Sequence, residues 1–217
     1  MKTVRNFGVV DVDFDVVKWE YVNGKQKVIW THPAYVKWKN MIERCYGPPM
    51  KGRKNRYAGV RVEERWRSFS AFCSWFDLYY SDGYDVLDKD LIGDGTVYGP
   101  DTCCLIPNKL NTFLSRSEYR GILPGVSKKD DGFEGTIQKD GVTTRLTGKV
   151  YTEYDAHRPW IAAKLDHLQE LMVAYKANRG KADPRVEEAV SKIASEMVDC
   201  LTNYTPYYGL SQKQEAV

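Results

Sequence analysis

The sequence predicts an α+β fold built in two parts. Three observations carry that expectation. Apolar residues recur at helical spacing over 33–46 and again over 68–80, which places helices ahead of the first chemistry-bearing stretch. Between Tyr84 and Asn111 the chain reads as strand, Gly-rich turn, strand and short helix. From Gly125 onward, three short strand candidates with Asp-Gly turns precede two long helical stretches. The expected organisation is an N-terminal β-hairpin region over 1–30, a first domain over 31–116, a second over 122–178, a helix over 183–202 and a tail over 205–217.

Composition bounds the functional classes. Of 217 residues, 42% are hydrophobic and 13% aromatic, enough for a core in one large or two small domains. No apolar run approaches the ~20 residues of a membrane-spanning helix. Met1-Lys2-Thr3-Val4-Arg5 is not followed by an apolar stretch, so no signal peptide is expected. The five cysteines form no CxxC pair, which fits a reduced, intracellular protein rather than a disulfide framework. Cys103 and Cys104 are adjacent and point to opposite faces of any strand, a poor zinc pair. The net charge is only +3, but its distribution is uneven. From His32 to Ser70 there are ten Lys and Arg against three Glu, and from Asp77 to Asp101 seven Asp against one Lys. Such blocks fit phosphate contacts beside a metal centre, or two solvated faces.

Each element has a local signal. Asn23-Gly24 lies between two partly alternating runs and marks a hairpin over roughly 16–30, since both positions tolerate positive φ. His32-Pro33 opens a helix with Pro at its first position, and Tyr35, Trp38, Met41, Ile42 and Cys45 form its apolar face. Gly47-Pro48-Pro49 ends it. Ser68 to Tyr80 is an aromatic-rich helix whose Phe69, Phe72, Trp75, Phe76 and Tyr79 belong to the core. Ser115 to Leu123 reads as a linker. The later strands are expected at 125–127, 133–139 and 143–146. Pro159 is read as the start of a helix to about residue 178, with Trp160, Leu168, Leu171, Met172 and Tyr175 buried. Asp183-Pro184 starts another, as N-cap and first position. From Thr205 the tail shows no periodicity.

The candidate binding residues follow from charge. Lys51, Arg53, Lys54, Arg56 and Arg61 have no acidic residue between them and suit phosphate contact. A three-stranded meander with a helix occurs in DNA-binding modules that lay the sheet in the major groove, although any small α+β unit shares the pattern. Lys128, Lys129 and Arg145 are the candidate contacts there.

The candidate chemistry lies in the 84–111 stretch. Phosphodiester hydrolysis needs a cation on the scissile phosphate, a base for the water and groups that fix the backbone. Asp88 and Asp90, two apart on an expected strand, would share a face, and Asn111 would add an amide oxygen. The three make a hard-oxygen site suited to Mg²⁺ or Mn²⁺. Alternatively, Asp88 or Asp90 caps a turn or pairs with Lys89. His32, His157 and His167 all lie outside the stretch, so it holds no histidine base. Lys89 stands between the two Asp residues, where neighbouring carboxylates favour its charged form over the neutral form a base needs.

An ordered series of motifs carries a resemblance. It runs Tyr35-x-x-Trp38-x-x-Met41-x-x-Arg44-Cys45-Tyr46, Tyr57-x-Gly59, Glu64-x-Trp66-x-x-Phe69, Leu87-Asp88-Lys89-Asp90-Leu91, Val97-Tyr98-x-Pro100-x-Thr102-Cys103 and Asn111. The series resembles bacteriophage HNH homing-endonuclease-like proteins, and Leu123-Pro124-x-Val126 through His157-x-x-Trp160 resembles their AP2-like DNA-binding unit. The likeness spans roughly residues 8–200. It implies a ββα-metal (HNH-like, His-Me finger) core preceded by helices, then a three-stranded AP2-like sheet with helices. It also implies Mg²⁺ or Mn²⁺, held by Asp88, Asp90 and Asn111, and double-stranded DNA as substrate. Asp88, Lys89 and Asn111 fall at catalytic positions, but Lys89 replaces the family's histidine. Glu63 stands where members often have Cys. The implied activity is metal-dependent cleavage or nicking of DNA in the cytoplasm of an infected bacterial host. The alternative is an inactive relative that binds DNA or a host protein. No membrane partner is expected.

Overall fold

The computed structural model describes residues 2–48, 57–81, 83–115, 121–177 and 182–209. The structure is mixed α+β, as the sequence predicts. Its contacts divide into two compact units, Met1–Asn108 with Arg179–Val186, and Lys109–Asn178 with Glu187–Val217.

The first unit opens with a short hairpin that the sequence reading did not anticipate. Strand β1 (Lys2–Val4) pairs antiparallel with β2 (Gly8–Val10), and Arg5 and Asn6 turn the chain at φ of 53° and 54°. A second hairpin joins β3 (Val17–Val22) to β4 (Lys25–Thr31). Its turn is the expected Asn23-Gly24, both at positive φ (51° and 73°), which matches the right-handed twist of the strands. Helix α1 (Pro33–Tyr46) begins with Pro33 as expected and buries Ala34, Trp38, Met41 and Ile42. The Trp38 indole N–H donates to the Trp66 carbonyl at 2.7 Å. After β5 (Arg61–Val62) and a 3₁₀ turn (Glu64–Arg67), Ser68 caps α2 (Phe69–Tyr79) by accepting from the Ala71 amide. Phe69, Phe72, Trp75 and Phe76 are buried, with Trp66 4.7 Å from Trp75 between ring centroids. Each such ring removes roughly 150–250 Å² from water, so this cluster dominates the unit's stability.

The expected strand–turn–strand–helix order is present. It consists of β6 (Asp85–Asp88), β7 (Val97–Tyr98), β8 (Cys104–Pro107) and α3 (Asn108–Leu114). β6 pairs antiparallel with β8, and β7 pairs parallel with β5. The division between the units falls between Asn108 and Lys109, within α3.

In the second unit β9 (Val126–Lys129), β10 (Gly132–Lys139) and β11 (Val142–Arg145) form an antiparallel sheet in the order β11-β10-β9. Helix α4 (Glu153–Ala177) packs on β10. It starts six residues before the expected Pro159. The cap is Thr152, whose hydroxyl accepts from the Asp155 amide and donates to the Asp155 carboxylate. Pro159 lies inside the helix and forgoes one backbone bond. Of the expected buried stripe, Leu168 and Tyr175 are buried. Trp160, Leu171 and Met172 are half-buried, and Ala156, His157 and Ile161 complete the stripe. Helix α5 (Pro184–Thr202) begins at Pro184 as expected and buries Val190, Ile193 and Met197. The described part of the tail does not dangle. Tyr207 is buried, and its backbone N–H donates to His157 Nε2 at 3.0 Å.

Candidate functional site

Two places gather the candidate residues. The first is the sheet of the second unit. Residues directly opposite in register share a face, so Ser127, Lys129, Glu134, Thr136, Gln138, Thr143 and Arg145 lie together on one side. Val126, Gly135 and Ile137 lie on the other side and are buried. That buried side fits the helix closely: a Cβ on Gly135 would sit 2.3 Å from the Ala156 carbonyl oxygen. The outward side is entirely polar. Glu134 holds both of its cations, with Lys129 Nζ at 3.3 Å from one carboxylate oxygen and the Arg145 guanidinium on the other. Both cations are about half exposed, at 49% and 59%. Both ion pairs are therefore open to solvent. Lys128 is exposed but lies opposite Phe133, on the helix side of the sheet. Sequence reasoning missed Thr136, Gln138 and Thr143. The alternation Glu134-Thr136-Gln138 along one strand was the signal for the first two, and the Asp140-Gly141 turn that pairs the next strand with it was the signal for Thr143.

Arg61 is exposed on β5. Lys51, Arg53, Lys54 and Arg56 lie outside the described residues.

The second place is the acidic turn after β6. The strand ends at Asp88, so the alternation that would have put Asp88 and Asp90 on one face stops there. The physical reason is the Asp88 side chain. Its Oδ1 accepts from the backbone N–H groups of Asp90 (3.0 Å) and Leu91 (2.7 Å), which folds the chain into a turn. Burial pushes the Asp88 carboxyl above its usual range, against the opposing pull of the Leu91 amide. Lys89 is buried, and its ammonium donates to Asp90 Oδ1 at 2.8 Å. The rings of Tyr57 and Tyr98 flank it at 5.9 and 5.8 Å. The cation this turn holds is thus its own lysine. A divalent ion between Asp88 and Asp90 would meet the Lys89 ammonium already on Asp90 Oδ1, a like charge at the same carboxylate. Among the described residues no group of three or more His, Cys, Asp and Glu side chains is placed to hold a metal. Asn111 is half-buried on α3 in the second unit.

The three histidines pack against aromatic rings. His157 is fully buried, and His167 meets Phe113 edge-on at 5.1 Å. His32 precedes α1 without capping it and packs among Phe14, Trp30 and Phe69. All five cysteines are free thiols. Burial pushes Cys45 up to about 11 and Cys103 up to about 12, so neither is a thiolate near neutral pH.

Among the described residues no helix is long and apolar enough to cross a membrane. No family model, curated protein or solved structure matches the chain.

Proposed function

We propose that this chain binds double-stranded DNA through the outward face of the β9–β11 sheet. The supporting observation is that face itself: two half-exposed cations and four neutral hydrogen-bonding side chains, Ser127, Thr136, Gln138 and Thr143, on a sheet backed by a helix. The major groove admits a β-ribbon, and such side chains read base edges while Lys and Arg neutralise phosphates. The resemblance to phage HNH-like proteins with an AP2-like unit points the same way, and would put the protein in the cytoplasm of an infected host.

Duplex binding at several salt concentrations tests this. Lys129→Ala and Arg145→Ala should each weaken binding on all sequences and flatten the log–log salt slope by about one. Thr143→Val should change sequence preference with little change in slope. Duplex affinity unaffected by all three overturns the reading, and no duplex binding at low salt points instead to a protein partner.

The second reading is a metal-dependent endonuclease. It is favoured by the strand–turn–strand–helix order over 85–114, with Asp88, Asp90 and Asn111 as ligands of Mg²⁺ or Mn²⁺. The Lys89–Asp90 pair is why binding is placed ahead of cleavage. Nicking of supercoiled plasmid with either metal, abolished in Asp90→Ala, would establish cleavage.

A further inference from the structure

The β3–β4 hairpin carries a feature that duplex binding does not use. Register puts Trp19 and Tyr21 on one face of the hairpin, opposite Val28 and Gln26. Trp19 is 54% exposed and Tyr21 76%. Every residue of the hairpin from Lys18 to Trp30 is exposed. A two-stranded hairpin without cover is marginal in water, and cross-strand pairing such as Trp19 with Val28 uses only part of these rings, leaving more than half of each in water. The opposite face carries Lys18, Lys25 and Lys27 against the single acid Glu20, and the Lys18 ammonium lies 5.3 Å from the Trp30 ring.

We propose that this hairpin is a stacking surface for the unpaired bases of single-stranded nucleic acid. Flat rings with lysines around them are the chemistry that holds single strands, because every base has a π-face and every nucleotide a phosphate. Two residues on, a strand has advanced about 7 Å, twice the ~3.4 Å step between stacked nucleotides, so Trp19 and Tyr21 can each take a base. A two-stranded ribbon is only about 5 Å across between strand axes, so lysine stems from the far face reach its edges. The hairpin's excess of lysine selects a polyanion. A second copy of the chain fits less well. The exposed parts of Trp19, Tyr21 and Val28 amount to roughly 300 Å² on the usual areas of such side chains. A stable dimer needs about 800 Å² from each partner. This inference does not depend on the duplex-binding face of the other unit.

The test uses the full chain, labelled oligothymidylate and a labelled duplex at low salt. Wild type should bind the oligothymidylate with quenching of tryptophan fluorescence. The pair Trp19→Ala with Tyr21→Ala should weaken that binding on the order of 100-fold, at roughly tenfold per stacked base. Trp19→Phe should keep affinity within about threefold, since a ring remains for stacking. Lys25→Ala with Lys27→Ala should flatten the single-strand salt slope by roughly 1.4. Duplex affinity should stay unchanged throughout, whereas Arg145→Ala should lower duplex affinity alone. Because the double aromatic variant could lose the hairpin itself, Trp19→Phe and the lysine pair carry the test separately. The proposal is overturned if wild type does not bind the oligothymidylate, or if the double aromatic variant binds it as wild type does. It is equally overturned if these substitutions convert a dimer to a monomer without changing oligothymidylate affinity. Failure of the wild type to bind the duplex while it binds the oligothymidylate would sink the sheet-face reading and leave this one standing.

Discussion

The ring of His157 is wholly buried, and its nitrogens face backbone groups of opposite kind. Nδ1 lies 2.7 Å from the Pro124 carbonyl oxygen, which only accepts, and Nε2 receives the Tyr207 N–H at 3.0 Å. A neutral ring with its proton on Nδ1 satisfies both. An imidazolium would set a second N–H against that of Tyr207. Burial therefore pushes the His157 pKa below its ordinary 6.5, outweighing the Pro124 bond and Glu153. The unfolded chain then binds a proton near that pH which the folded chain refuses. Stability is thus fully present above about pH 6.5 and falls as the pH drops below it. His167 shifts in the same direction, by burial first and then by Lys139 and Lys164, so wild type alone cannot isolate the effect. His157→Gln should shrink the drop in urea midpoint between about pH 7.5 and about pH 5.5. An undiminished drop would assign the dependence elsewhere. At this scale the sequence read well only where chemistry is local. Asp88 as a turn cap and Asp90 as the partner of Lys89 were both readable alternatives, because each involves neighbours within three residues. The His157 contacts join it to residues 33 and 50 positions away and left no local signal.

Elements of the second unit meet at glycines. At Gly125, φ is +74° and a Cβ would fall 2.0 Å from the Trp160 ring; at Gly135 it would fall 2.3 Å from the Ala156 carbonyl oxygen. Neither neighbour is the loose end of a flexible side chain, so helix or sheet must shift. Gly135→Ala should cost about 1–3 kcal/mol by overpacking. Gly125→Ala should cost about 1 kcal/mol more for its left-handed backbone. Gly148→Ala, where no atom lies within 4 Å, is the control and should stay within about 0.5 kcal/mol of wild type. Urea unfolding of the three variants checks the order, and equal costs would mean that α4 does not pack against β10 this closely. The strands here were legible because alternation and turn chemistry are local: Asp140 and Gly141 both take positive φ at the β10–β11 turn. The start of α4 was misread because proline is a louder signal than a threonine cap. Pro159 is common at first helical positions, yet the Thr152–Asp155 exchange sets the true start.

Across the whole molecule the chain leaves the first unit after residue 108 and returns to it for 179–186. The local part of that return was readable: Asp183 caps α5 by accepting from the Arg185 amide, with Pro184 at the first position. Its destination was not readable, because it rests on bonds spanning more than eighty residues. The Arg185 guanidinium donates to the Pro100 carbonyl at 2.8 Å and to the Cys103 carbonyl at 3.2 Å, while also pairing with the fully buried Asp183. Five donors spread over three nitrogens in a fixed fork allow one side chain to serve all three, whereas an ammonium offers its donors from a single nitrogen. Arg185→Ala removes these donors from two carbonyls and from a buried carboxylate, and should cost the first unit about 2 kcal/mol. Arg185→Lys should recover part of that by restoring charge without the fork. Trp38, Trp66 and Trp75 belong to the first unit and Trp160 to the second, so urea unfolding followed in a Trp160→Phe background reads the first unit. An unchanged midpoint in Arg185→Ala would mean that 182–186 rests on the first unit without helping to hold it. A loss restored halfway by lysine would show that the bidentate geometry, and not the charge alone, ties the returning segment down.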